Sequence, residues 1–193
     1  MKRSIALAVW SLLAILTAQL PAHARHTLDA LGAAQLRKGM AAFNRQDYTT
    51  AGVLLRLPAD RGDSRAQAIL CFLHTHGRGV PQSFSEAANW CRRSAEQGNA
   101  QGQYMLGLLY NNGHGVPENF VQAYKWLNLA AAHASGPKRE FSYRIRDSVA
   151  SKMSPAQIAK AQALAVEYQP VPELPDSALM AGQCAGGEKC LDP

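Results

Sequence analysis

Residues 62–97 and 98–133 are one 36-residue unit written twice in direct succession. Twelve positions are identical in the two copies, among them Gly77/Gly113, Gly79/Gly115, Val80/Val116, Pro81/Pro117, Phe84/Phe120 and Trp90/Trp126. Self-similarity with a period in the thirties is the signature of stacked helix pairs. One such pair cannot bury its apolar flank alone and is stable only against neighbours. The repeat therefore excludes most other folds before any single residue is considered.

Each matched residue has a mechanical role. Asn99 is placed to cap a helix running to about Tyr110, in which Tyr104, Leu106, Leu109 and Tyr110 recur at the spacing of a one-sided buried helix. Asn111-Asn112-Gly113 ends it, with Gly113 free to take a left-handed conformation. Val116 is an apolar pin for the loop, and Pro117 fixes the exit. Asn119-Phe120-Val121-Gln122 and Ser83-Phe84-Ser85-Glu86 both read as capping boxes opening a second helix. Ala123, Trp126 and Ala130 share one face of that helix, where small residues let the pair approach and the indole fills the gap.

The flanks extend the pattern. Residues 28–61 hold a shorter, degenerate pair, with a tight turn over Asn44-Arg45-Gln46-Asp47 and a helix capped by Asp47. After the repeats, residues 137–168 read as a fourth pair that caps the stack. Ser154-Pro155-Ala156-Gln157 opens its last helix with a cap, a first-turn proline and a capping-box glutamine. From Gln169 the composition changes, and Pro170, Pro172 and Pro175 imply an extended tail over 169–193. The expected fold class is all-α, a short α-α superhelix (solenoid) of antiparallel helix pairs over residues 25–168 with an extended C-terminal tail.

Residues 1–24 read as a secretory leader: Lys2 and Arg3, an apolar run from Ile5 to Leu16, then small residues at Ala-x-Ala spacing with cleavage expected after Ala24. The run is shorter than the ~20 residues of a membrane span, and no later stretch is long and apolar enough for one. The formal net charge of +6 becomes +4 without Lys2 and Arg3. Arg92-Arg93, Lys138-Arg139 and Arg144/Arg146 are scattered pairs without interleaved aromatics, which argues for solvated helix faces and against nucleic acid. Four cysteines, Cys71, Cys91, Cys184 and Cys190, in a chain bound for an oxidising compartment point to disulfides. Cys184 and Cys190 bracket a glycine-rich loop that a local bridge would close.

Gln103, Leu106-Gly107, Tyr110, Gly113-His114-Gly115-Val116, Ala123, Trp126 and Ala130-Ala131 together resemble the unit of the Sel-1-like repeat (SLR) family, relatives of tetratricopeptide repeats. The first copy keeps Ala66-Gln67, Leu70, Gly77-Arg78-Gly79-Val80, Ala87, Trp90 and Ala95. In the degenerate leading pair, Gly39 and Ala51 stand twelve apart, the spacing of close-contact positions in tetratricopeptide helix pairs. Cys71 stands where the family has a glycine and His74 where it has a tyrosine. Helix-pair geometry brings Cys71 toward Cys91, and a Cys71–Cys91 staple is expected; the alternative is two buried thiols packing as small hydrophobes.

No catalytic constellation is apparent: there is no Gly-x-Ser-x-Gly, no His-Glu-x-x-His and no carboxylate pair placed for acid–base work. The Gly-x-Gly loops lack the third glycine and the preceding strand of a phosphate cradle. His74, His76 and His114 have no carboxylate at ligand spacing, so neither a metal nor another cofactor is expected. What remains is a surface. In stacked pairs the first helices line the concave side, which singles out Arg65, Phe72 and His76 in one repeat and Gln101, Tyr104, Leu108 and Asn112 in the next. The expected function is an exported, non-enzymatic scaffold or adaptor. It would hold a peptide or protein partner in the bacterial envelope, in the periplasm or secreted. The rival reading is a cell-wall (peptidoglycan) binding or hydrolytic module.

Overall fold

The computed structural model describes residues 22–170, with side-chain surroundings from Ala30 onward. Eight helices occupy the described residues, and no strand: α1 (Ala22–Asn44), α2 (Tyr48–Asp60), α3 (Ser64–His76), α4 (Phe84–Glu96), α5 (Ala100–Asn112), α6 (Phe120–His133), α7 (Pro137–Ala150) and α8 (Pro155–Val166). The expected leader lies mostly on residues 1–21, outside the described ones. So do Cys184, Cys190 and the tail beyond Pro170. By internal contacts the chain divides into 34–175 and a second unit of 1–33 with 176–193, of which only 22–33 are described, as the start of α1.

Side-chain caps fix where the helices begin. Asp47, Asp63, Ser83, Asn99, Asn119 and Ser154 each accept a hydrogen bond from a first-turn N–H. Left-handed Gly77 and Gly113, at φ 63° and 65°, end α3 and α5. Only Ser154 forms the reciprocal capping box, with Gln157. The boxes expected at Ser83 and Asn119 are one-sided for a clear reason: their own N–H groups are already bound, to the carbonyls of His74 (3.0 Å) and Tyr110 (2.9 Å) in the preceding helix. The tie across the loop replaces the tie within the helix.

Consecutive helices pack on each other from α2 to α7, and α3 also touches α5, so the first helices of the two clear repeats stand side by side. In the first three pairs the first and second helix cross at one repeated slot. Gly39 leaves room for Leu55, a Cβ there lying 2.7 Å from that leucine. Gly107 does the same for Leu127, also at 2.7 Å. Between them, in register, a disulfide joins Cys71 to Cys91, with Cα atoms 5.1 Å apart. Gly39 thus meets its partner helix one turn beyond Ala51.

Buried amides join one pair to the next. Gln67 Nε2 donates to the carbonyl of Ala59 at 2.9 Å, and Gln103 Nε2 to that of Ala95 at 3.2 Å, 36 residues on. Each glutamine's oxygen meets the end of the second helix of its own pair, Gln67 Oε1 accepting from Gln97 Nε2 at 2.7 Å and Gln103 Oε1 lying 2.9 Å from His133 Nδ1. Two buried glutamines are tolerable only because both ends are satisfied. The loops are held from outside by a second ladder. Arg78 lies over Tyr48 (5.2 Å), His114 stacks on Phe84 (4.4 Å) and Lys152 lies over Phe120 (5.2 Å). Gly115 presses on the backbone at Phe84 and Ser85, where a Cβ would overlap the Phe84 carbonyl. The Gly-x-Gly sequence is therefore an inter-repeat contact.

At the C-terminal end, α7 and α8 both pack on α6, and far less on each other. The chain then returns to α4. Tyr168 donates its hydroxyl toward the carbonyls of Ala95 (2.8 Å) and Glu96 (3.0 Å) and sets its ring against Trp126 at 5.6 Å.

Candidate functional site

Burial along α7 shows where the packing opens. Its apolar stripe is Phe141, Ile145 and Val149, at the spacing of one helix face. Val149 is 1 % exposed, Ile145 is half-buried and Phe141 is 48 % exposed. Toward its N-terminus the helix thus leaves the core uncovered, and a cleft of about 510 Å³ lies between it and α5. Ala100, Gln101 and Tyr104 of α5 form one wall, and Pro137, Lys138 and Phe141 of α7 the other. The connection from α6, with His133 and Ser135, borders it. Cavities of this size accommodate small ligands or a few peptide side chains.

The sequence places these walls for local reasons. Asn99 caps α5 and holds Gln101 and Tyr104 in its first two turns. Gly136, at φ 56°, turns the chain into α7, and Pro137 supplies a pre-set first residue. Ser142 is buried and gives its hydroxyl to the carbonyl of Lys138 at 2.9 Å. Arg139 Nε donates to the carbonyl of Ala134 at 2.9 Å, tying the connection to α7. The Tyr104 and Phe141 rings pack on each other, with centroids 5.8 Å apart, and bridge the two helices. Burial raises the Tyr104 phenol above its ordinary value, so the wall is neutral there. Lys138 takes part in none of the ion pairs among the described residues.

The structure separates the surface residues expected from the sequence into groups. Gln101 and Tyr104 share the cleft. Phe72 and His76 belong to another cluster: Phe72 packs edge-on to Phe43 at 5.6 Å and against His76 at 4.4 Å, with Arg78 over its face at 5.8 Å. Phe72 thus packs between the leading pair and the first clear repeat. Arg65 pairs with its own cap residue Asp63 at 2.7 Å. Leu108 is partly buried against the main core. Asn112 receives a hydrogen bond from Asn111 and is exposed. Phe141 and Lys138 were not expected. The sequence signal was a phenylalanine ending an apolar stripe on an otherwise strongly polar helix.

Among the described residues no group of three or more His, Cys, Asp or Glu is placed to hold a metal ion. The histidines have structural neighbours instead: His74 Nδ1 lies 3.3 Å from the carbonyl of Pro81, and His76 Nδ1 2.9 Å from that of Phe72. No described helix is long and apolar enough to cross a membrane.

The Sel1 repeat family model matches residues 64–99 and 100–135, so each unit of that model starts at the first residue of a helix, α3 or α5. Two crystal structures are similar. One is a protective antigen of uropathogenic Escherichia coli strains that displays an SLR fold. It is 27% identical, with a TM-score of 0.65 over 84% of this chain and 35% of that one. The other is a Sel1 repeat protein from Oxalobacter formigenes, 30% identical, with a TM-score of 0.52 over 62% of this chain and 94% of that one. The chain thus spans about a third of the length of the first and nearly all of the second. No curated protein sequence matches it.

Proposed function

The chain belongs to the Sel1 repeat family, whose members generally act as protein–protein interaction scaffolds, and from that premise we propose that it is an exported adaptor holding a protein or peptide on its first-helix face. The observation that carries this reading is the cleft between α5 and α7, with aromatic walls on the side where first helices stand next to one another. The cell envelope is the proposed location. Supporting it are the leader-like start of the sequence and the Cys71–Cys91 disulfide, a bond that persists in oxidising compartments.

The test is site-specific photo-crosslinking in intact cells. Probes at Arg65, Gln101 and Asn112 on the first helices should trap a partner protein. Probes at Asn89 and Lys125 on the second helices should not. Equal trapping from both sets, or from neither, would defeat the first-helix face. Loss of a leader peptide on export, read by intact-mass measurement of the chain from a periplasmic extract, tests the location separately.

A further inference from the structure

We propose that the α5–α7 cleft selects an acidic linear peptide, seating one large apolar side chain against the contacting Tyr104 and Phe141 rings and pairing an adjacent carboxylate with Lys138. The inference rests on the scaffold reading above and names the chemistry of its partner. Three observations lead to it. The Tyr104 and Phe141 rings touch, with centroids 5.8 Å apart, and make one aromatic surface with Ala100 and Pro137 beside it, so the cleft rewards an apolar group that leaves water. Phe141 is nearly half exposed at the end of a stripe whose other members are covered, which is how an unfilled anchor position looks before a partner arrives.

The charge is one-sided. No carboxylate lines the cleft, while Lys138 and His133 do. Lys138 lacks an ion-pair partner among the described residues. Residues 30–170 as a whole hold sixteen Lys and Arg against nine Asp and Glu. A peptide with an acid beside its anchor is therefore drawn to this body and held in one register, whereas a basic peptide is repelled. The Ser142–Lys138 hydrogen bond holds the first turn of α7 in shape, so the lysine projects from a fixed backbone.

The experiment is selection of a random nonapeptide display library on the immobilised full chain, followed by fluorescence anisotropy with the synthetic winners. The expected winners carry Asp or Glu within a residue or two of Leu, Phe or Trp. Phe141→Ala should weaken the best peptide at least about tenfold, since a central aromatic anchor dominates such contacts. Lys138→Glu should turn the selection toward Lys and Arg. Both positions are on the surface, and unchanged thermal melts will separate lost binding from lost fold. Winners that bind Lys138→Glu or Phe141→Ala as well as the wild-type chain overturn the proposal. So does a benzoylphenylalanine at position 101 that crosslinks to residues 171–193 of its own chain, or to a second copy, in place of the peptide. If the in-cell crosslinks still come from the first helices while the peptide selection ignores Lys138→Glu, the scaffold stands and the acidic peptide falls.

Discussion

The two clear repeats solve the same packing problem in different ways. At the point where first and second helix cross, the second repeat sets Gly107 beneath Leu127 and closes the gap with an apolar side chain. The first repeat, in the same register, sets Cys71 against Cys91 and closes it with a covalent bond. The leading pair returns to the first solution with Gly39 and Leu55. One slot therefore accepts either a glycine with a leucine or two cysteines. What the fold demands is close approach of two backbones and a filled gap, and the residue types are secondary. The choice does change what the repeat depends on: burial in one case, the redox state of its surroundings in the other.

Emptying the slot breaks this comparison most severely. Leu127→Ala leaves a cavity against Gly107 and should cost about 2–5 kcal/mol, measured by denaturant unfolding. Replacing both Cys71 and Cys91 by alanine should cost about 2–4 kcal/mol, and only relative to the oxidised chain. With reductant present the double variant and the wild type should nearly coincide. The sharpest form is a transplant: Cys71→Gly with Cys91→Leu copies the second repeat's solution. It should fold, melt above the double-alanine variant and ignore reductant. A transplant that fails to fold would show that the two slots are not equivalent.

Much of this was readable in the chain because it is local. Asn99, Ser154 and Asp47 announced helix starts, and Gly113 a helix end, each through groups within a few residues. The capping boxes at Ser83 and Asn119 were only half readable, because the carbonyls that satisfy their N–H groups lie in the preceding helix. The site was less legible for the same reason. Gln101 and Tyr104 followed from repeat register. Phe141 and Lys138 required knowing that α7 diverges from the core, and the disposition of α7 and α8 on α6 has no repeat to reveal it. Phe72 sat in the expected row, yet its aromatic partners Phe43 and Tyr48 come from the leading pair, whose register is shorter.

A second contrast concerns helix ends. Arg93 donates to the carbonyls of Ala59 and Asp60 and so closes the end of α2, each contact at 3.2 Å. Its counterpart 36 residues on is Leu129, which cannot donate. The matching carbonyls, Ala95 and Glu96 at the end of α4, are instead served by Tyr168, more than seventy residues away. Tyr168→Phe keeps the ring on Trp126 but removes the donor. It should cost roughly 1 kcal/mol, and faster amide exchange should be confined to the end of α4. Uniform loss of protection would contradict a local capping role.

The smallest effect separates the two repeat tryptophans, Trp90 and Trp126, by pH. Trp90 lies beneath Arg56 at 5.2 Å and Arg93 at 4.7 Å, while Trp126 lies beside Tyr168 and Lys125. Burial raises the Tyr168 phenol above its ordinary 10.0, and burial lowers the Lys125 ammonium below 10.5, against the pull of Glu96 and Glu167. The signs are opposite. In the unfolded chain a tyrosine ionises at about pH 10, before the folded one does. The stability Tyr168 confers is thus complete below that pH and lost as pH rises through its folded value. Folded Lys125 gives up its proton before the unfolded one, so stability rises between its folded value and about 10.5. Tyr168→Phe should flatten the alkaline decline and Lys125→Met should steepen it, read from denaturant midpoints between about pH 8 and 11. Arginines undergo no protonation change in that window, so Arg56→Met should shift every midpoint alike and leave the slope untouched. Parallel profiles for all four proteins would remove burial around Trp126 as the origin of the pH response.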